Sequence, residues 1–400
     1  MLSWSSLKRD SVPAAGTLLR CGALLVLGLA AYWAVRLAWA DHLSRSPGLA
    51  DRERAVRLAP AAASLYERLA DRREELGGDP LPDLERAAAL DPANAERHMR
   101  LGLRAELAGD FPLAERSLLR AAVLSRLYQP RYLLAQYYFR RGNADSFLTW
   151  SRAAFESAYG DVSPLLDLCW RTRPDAEWLV QYALPPRPEI ARQCLAFLMR
   201  RQQMNAAGVL ARRISEAAVA ADRPALLEYC DRRLAEGLAG DAVGVWNALS
   251  RRRLLPDGEL DPARGVSLTN GNFDHAPGGR GFDWRVEQLS GAKCVLGGGA
   301  MRVAFSGRQP EKCLIAWQYV PVEPGIHYRL RFAAPADGVR WSIFDFSGTE
   351  IRGEPGADGP LTFAPLAEVV RLALVYQRPL GSPRLEGTVA ITAVRLEREP

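Results

Sequence analysis

The chain has 400 residues, 48% of them hydrophobic and 24% charged, too many for one comfortable core and too apolar for a disordered chain. Its 52 basic and 46 acidic residues leave a net charge of +6, but the charges are interspersed, and basic clusters such as Arg251-Arg252-Arg253 are short and lack interleaved aromatics. That pattern argues against a nucleic-acid-binding protein.

Residues 1–16 form a polar leader carrying Lys8 and Arg9, with the amino terminus itself. Cys21 to Val35 then runs without a charge between Arg20 and Arg36. With Arg36 snorkelling, Leu37-Ala38-Trp39-Ala40 extends the apolar segment to about twenty residues, enough to cross about 30 Å of hydrocarbon. Trp33 and Trp39 stand near its outer end, as interfacial aromatics do. Residues 17–40 therefore read as a single transmembrane helix. A cleaved signal peptide and a buried core helix are the alternatives; Trp39 makes a poor cleavage site, and a buried helix seldom follows so polar a leader. The basic leader favours a cytoplasmic N-terminus at an inner membrane, with the chain beyond residue 41 in the periplasm.

From about Gly48 to Leu255 the chain is rich in Ala, Leu, Arg and Glu at helical spacing. Arg54-Ala55-Val56-Arg57-Leu58-Ala59-Pro60 is echoed by Arg86-Ala87-Ala88-Ala89-Leu90-Asp91-Pro92, and three further pairs, 101/134, 109/142 and 121/154, are each offset by 33. Turn signals stand at Gly77-Gly78-Asp79-Pro80, Gly109-Asp110, Gly142-Asn143, Ser163-Pro164, Pro185-Pro186 and Gly240-Asp241. Helices of even length between such turns predict antiparallel pairs stacked in a solenoid over residues 41–258. Pro164 to Asn205, with Trp170, Trp178 and Phe197, reads as a diverged pair of repeats.

Leu101-Gly102 on a first helix, Gly109-Asp110-Phe111 at the turn, and Ala114, Leu118 and Ala121 on a second helix resemble the tetratricopeptide repeat. His98 and Ala105 depart from the family's usual aromatics. The resemblance implies a protein-binding groove, for which Tyr132, Tyr137, Tyr138 and Trp150 are candidates; at helical spacing these aromatics equally suit a core.

After Leu255-Pro256-Asp257-Gly258 glycine and proline rise and short alternating runs appear at 301–305, 315–320, 328–332, 340–344, 369–376 and 388–396. They predict an antiparallel β-sandwich, a jelly roll, over residues 259–400. Leu268-Thr269-Asn270-Gly271-Asn272-Phe273, Gly281-Phe282-Asp283-Trp284-Arg285-Val286 and Val322-Glu323-Pro324-Gly325-Ile326-His327-Tyr328 resemble the galactose-binding-like fold of carbohydrate-binding modules. That resemblance implies glycan binding, sometimes with a structural calcium. Asp283, Trp284 and Arg285, after the loop Gly278-Gly279-Arg280-Gly281, and Trp341 with Asp345 supply the aromatic planes and polar groups a sugar site needs. Trp317 and Trp341 equally suit a sandwich interior.

Cys169, Cys194 and Cys230 read as buried small hydrophobes, whereas Cys294 and Cys313, in two predicted strands, are a candidate disulfide in an oxidising compartment. The four histidines lie far apart, and Gly297-Gly298-Gly299 leads into a strand and is a turn, not a phosphate cradle. No catalytic residue, metal site or cofactor is expected. The order of anchor, solenoid and jelly roll is similar to membrane-anchored repeat proteins of bacterial exopolysaccharide assembly, which implies a non-enzymatic scaffold with an envelope protein partner and a glycan or second protein. A periplasmic glycan-modifying enzyme, with a carboxylate pair among Asp274, Asp283 and Asp345, and a structural spacer are the rival readings.

Overall fold

The computed structural model describes residues 14–332, 338–351, 354–355 and 361–399. The chain packs as two bodies, Met1–Gly160 and Asp161–Pro400.

The first body holds α1 (Ala14–Ser44), α2 (Leu49–Leu58), α3 (Ala63–Glu75), α4 (Leu81–Leu90), α5 (Ala95–Ala108), α6 (Phe111–Leu124), α7 (Tyr128–Arg140) and α8 (Ala144–Ser157). The repeated residues explain the repeated hairpins. Gly109 ends α5 at φ 84°, and Asp110 then accepts from Leu113 N at 3.0 Å to start α6. One repeat later Gly142 (φ 68°) and Asn143, which accepts from Ser146 N at 3.1 Å, do the same between α7 and α8. Gly102 is required by packing: a Cβ there would stand 2.7 Å from Leu118 Cγ and 3.1 Å from the Ala114 carbonyl oxygen. Ala105, Ala114 and Ala121 are fully buried around this contact, so small residues set how closely α5 and α6 approach.

Helix α1 is long and apolar enough to cross a membrane. Its side chains from Leu24 to Val35 are exposed, yet Ala40 is buried with Ala55, Ala59 and Leu65, and Leu43 packs on that cluster. The expected change from span to solenoid at residue 40 thus falls inside one continuous helix, whose last turns form a hairpin with α2.

The second body starts with α9 (Ser163–Thr172), α10 (Ala176–Trp178) passing into a π turn (Leu179–Ala183), α11 (Pro188–Arg200), α12 (Met204–Glu216), α13 (Arg223–Ala235) and α14 (Gly240–Arg251). The π turn is the irregularity that makes this stretch hard to align as repeats. The turn expected at Gly240-Asp241 lies slightly earlier, at Gly237 (φ 82°), and Gly240 opens α14. Cys169, Cys194 and Cys230 are buried, as their apolar surroundings suggest.

The strands follow: β1 (Arg285–Val286), β2 (Ala292–Gly297), β3 (Ala300–Ser306), β4 (Lys312–Pro321), β5 (Tyr328–Phe332), β6 (Val339–Asp345), β7 (Glu350–Ile351), β8 (Glu354–Pro355), β9 (Leu361–Phe363), β10 (Val369–Gln377), β11 (Glu386–Ile391) and β12 (Val394–Arg398). They pair antiparallel in sheets of order β1-β4-β10-β6-β7, β11-β3-β2 and β12-β5-β9-β8. Gly297-Gly298-Gly299, all at positive φ, make the β2–β3 turn. The single strand expected over 388–396 is two, β11 and β12, which enter different sheets. All three sheets contribute to one apolar core, including Val303, Ile315, Tyr328, Trp341, Leu372, Ile391 and Val394. Along β10 the core takes Val370, Leu372, Leu374 and Tyr376, the period of two that the sequence shows. The architecture is therefore α-helical first and antiparallel β second, with the residue 258/259 boundary inside the second body.

Candidate partner-binding groove

Helix α5 carries two faces. Leu101, Gly102 and Ala105 turn inward, while Met99, Leu103 and Leu107, four apart, form a second apolar row about 200° around the helix. That row lines a cavity of about 890 Å³ with Phe111 and, from α7, Gln129 and Leu133. Leu107 is 77% exposed, a large apolar side chain left open on a helix whose other face is fully packed.

Charged residues frame this floor and cross from one hairpin to the next. Arg140 donates to both carboxylate oxygens of Glu106 at 2.7 Å. Arg100 pairs with Asp71 and Arg104 with Glu74, both on α3. The Arg141 guanidinium lies 3.7 Å from the Phe111 ring centre. These pairs neutralise much of the guanidinium charge, so the groove offers apolar contact with a polar frame, the composition of a peptide-binding surface. The Met99, Leu103 and Leu107 row is readable in the sequence as a second stripe on a helix already supplied with a packing face.

The four aromatics expected in a groove lie elsewhere. Tyr137 and Tyr138 are buried between helices, with hydroxyls donating to the Phe111 carbonyl at 3.1 Å and to Glu115 Oε1 at 2.7 Å. Burial raises both phenols above their usual range. Tyr132 is half-buried and stacks on Tyr128 at 5.2 Å, and Trp150 is half-buried on α8. Tyrosine hydroxyls that close a helix pair account for this placement.

The expected sugar-site residues of the β-domain are corrected in the same way. Trp284 has no exposed surface and Trp341 only 4%, their rings 5.8 Å apart within the sandwich core. Neither offers a plane to a ligand. Asp283 is buried, accepting from Gly278 N and from Trp284 N, the latter at 2.7 Å; burial lifts its carboxyl above its ordinary 3.8 against those bonds. Arg285 pairs with Asp231 of α13, and the same carboxylate accepts from Gly281 N at 2.7 Å. The glycine loop, expected to be exposed, is held against the last helices: Phe282 meets Trp246 of α14 edge-on at 5.6 Å, and a Cβ on Gly281 would stand 2.8 Å from the Trp246 ring. Glu368 accepts from Ala239 N at 3.1 Å and from Gly240 N at 3.4 Å, capping α14 from the β side. Gly281, Phe282 and Arg285 thus build a seam between helices and sheets, whereas Trp284 belongs to the sandwich core behind it. Asp345 caps its own turn, accepting from Ser347 Oγ at 2.6 Å and Thr349 N at 2.8 Å, which hold its carboxyl below the usual range.

Cys294, on β2, and Cys313, on β4, are free thiols on different sheets, which corrects the disulfide expectation. Both pack with the sandwich core; burial pushes the Cys294 thiol up to about 12 and raises Cys313. A histidine–carboxylate contact joins His275 Nε2 to Asp257 Oδ1 at 3.3 Å, and that oxygen also accepts from Asn270 N at 2.9 Å, as a loop brace does.

The helical portion is a tetratricopeptide-like solenoid. Among solved structures it is similar to the thermophilic tetratricopeptide protein TTC0263 of Thermus thermophilus, at 24% identity over 40% of this chain and 98% of that one, with a TM-score of 0.27. It is also similar to pilF of Pseudomonas aeruginosa (13% identity, 51% and 89% covered, TM-score 0.26) and to the tetratricopeptide domain of P58(IPK) (16%, 57% and 78%, 0.15). At these scores the assignment stands on the chain's own caps and packing. No family model and no curated protein matches the chain.

Proposed function

We propose that the protein is a non-enzymatic scaffold anchored by α1 in a bacterial inner membrane, with its bulk in the periplasm and the α5–α7 groove holding a segment of an envelope protein. The observation that carries this reading is the row of half-buried Met99 and Leu103 with exposed Leu107 along a cavity of about 890 Å³, on a helix whose core face is already satisfied. An apolar floor with a polar, largely ion-paired frame fits a short helix or extended peptide bearing aliphatic anchors. The link to exopolysaccharide assembly rests on the resemblance of domain order, and the proposal includes no cofactor.

The proposal assigns no glycan contact to Trp284 or Trp341, whose rings are buried, and the β-domain's half-buried Trp317 has its ring flanked by arginine. Trp317 is half-buried on the opposite face of β4 from the core, with the guanidinium groups of Arg285 and Arg371 at 4.7 and 5.2 Å from its ring centre.

A photo-crosslinking side chain at Leu107 in the full chain, compared with one at the exposed Arg120 of α6, tests the groove in cells. A discrete adduct from 107 alone is the expected result; equal adducts from both positions, or none from 107, would overturn it. Loss of the 107 adduct on Leu103→Glu would assign it to the groove.

A further inference from the structure

We infer that the turn between α2 and α3 is a second membrane contact, seated in the anionic headgroup layer at a depth fixed by α1; the inference rests on α1 being a membrane span. Helix α1 continues without a break from its apolar run into the first hairpin. Only four residues join Ser44 to Leu49, so α2 returns alongside α1 toward the apolar run. Its end is tied there: Arg36 Nε donates to the Leu58 carbonyl oxygen at 2.7 Å, while the same guanidinium lies 4.9 Å from the Trp33 ring centre and 3.5 Å from Tyr32 Oη. Leu19 to Arg36 rises about 26 Å at 1.5 Å per residue, close to the hydrocarbon thickness. The end of α2 therefore lies at the level of the interfacial aromatics and not out in the aqueous phase.

The composition of the turn agrees with that depth. Leu58-Ala59-Pro60-Ala61-Ala62-Ala63 carries no side-chain donor, acceptor or charge, and Pro60 and Ala61 are exposed. Its repeat equivalent, 32 positions on, is Leu90-Asp91-Pro92-Ala93-Asn94-Ala95. The backbones match, with φ −134° and ψ 70° at Ala59 against −134° and 73° at Asp91. In the second turn Asp91 pairs with Arg97, and Asn94 caps α5 by accepting from Glu96 N and Arg97 N. In the first, both positions are Ala and α3 begins with no side-chain cap. An uncapped, wholly apolar turn is less stable in water than a capped one, whereas in a headgroup layer its apolar surface and free N–H groups meet acyl and phosphate groups. Exposed Arg54 and Arg57 on the last turns of α2 supply charge facing lipid phosphates.

The test uses the full chain in nanodiscs containing phosphatidylglycerol. A fluorophore is placed on Ala61→Cys or on Ala93→Cys, each with Cys21→Ser, and quenching by lipids nitroxide-labelled near the headgroup is measured. Native Cys21, exposed within α1, is labelled separately and quenched with acyl-chain nitroxides to report the span itself. Quenching at 21 and 61 but not at 93 is the expected result. Quenching at 21 without 61, or equal quenching at 61 and 93, would overturn the turn contact while leaving the span intact. No quenching at 21 would overturn the span and the inference with it. Replacing phosphatidylglycerol by phosphatidylcholine, or introducing Arg54→Glu with Arg57→Glu, is expected to remove most of the signal at 61; an unchanged signal would overturn the anionic partner.

Discussion

The α5–α7 groove and the seam between α13, α14 and the sheets contain the same kinds of side chain, arginine, carboxylate and large apolar groups, in opposite states. In the groove Leu107 is 77% exposed; in the seam Trp246 is 1% exposed and Phe282 not at all. The difference lies in what faces each element. Groove residues project from helices whose inward positions are already filled by Leu101, Gly102 and Ala105 of their own hairpin. Seam residues are covered by chain about 35 to 55 positions away, such as Trp246 over Phe282 and Asp231 over Arg285. Exposure of an aromatic therefore follows from whether a distant element completes its burial, and a glycine-rich loop before it is no guide.

The comparison breaks most readily at Trp246. Trp246→Ala removes a fully buried indole and its Nε1 bond to the Gly258 carbonyl at 3.3 Å, and should cost about 3–5 kcal/mol. Denaturant unfolding measures this, and a loss below about 1 kcal/mol would mean the seam is not a core. Asp231→Asn should cost less, about 1–3 kcal/mol, because the Arg285 guanidinium is left largely buried without its carboxylate.

Much of the fold was legible because its signals are local. Gly109 and Gly142 mark helix ends by conformation, Asp110 and Asn143 mark helix starts by side-chain acceptors, and β10 shows its buried face by alternation. The candidate site was only partly legible. The Met99, Leu103 and Leu107 stripe can be found by asking which helix has two apolar faces, whereas Tyr137 and Tyr138 satisfy the same periodicity from the packed side. The burial of Phe282 and Arg285 depends on Trp246 and Asp231, and that of Trp284 on Trp341, for which no short-range pattern exists. Cys294 and Cys313 are free thiols, and strand assignment alone does not say whether two Cβ atoms approach.

Two smaller effects sharpen the contrast. Gly102→Leu should destabilise the α5–α6 hairpin by about 1–3 kcal/mol through overpacking against Leu118 and the Ala114 carbonyl. A far smaller cost, read from thermal unfolding, would show that α5 and α6 separate easily. Asp283 gives the seam a pH signature. Its folded carboxyl titrates above the ordinary 3.8 because of burial, so its contribution to stability is present while it is protonated and is lost as pH rises through the folded value. Asp283→Asn should flatten that loss in unfolding measured across the acid range; an identical pH profile would remove Asp283 as its source.

The smallest effect on stability should come with the largest on binding. Leu107→Ser changes a side chain that packs on little of its own hairpin, so unfolding free energy should move by about 0.5 kcal/mol or less. If the groove is a recognition surface, the same change removes an anchor at its floor, and the adduct formed from a crosslinker at the neighbouring Leu103 should fall sharply. A variant equally folded but unable to form that adduct separates recognition from architecture, which no seam substitution can do, because every seam residue serves both the sheet and the helices it joins. If Leu107→Ser instead destabilised the chain by as much as Trp246→Ala, the open face of α5 would have to be packing surface, and the contrast between groove and seam would collapse.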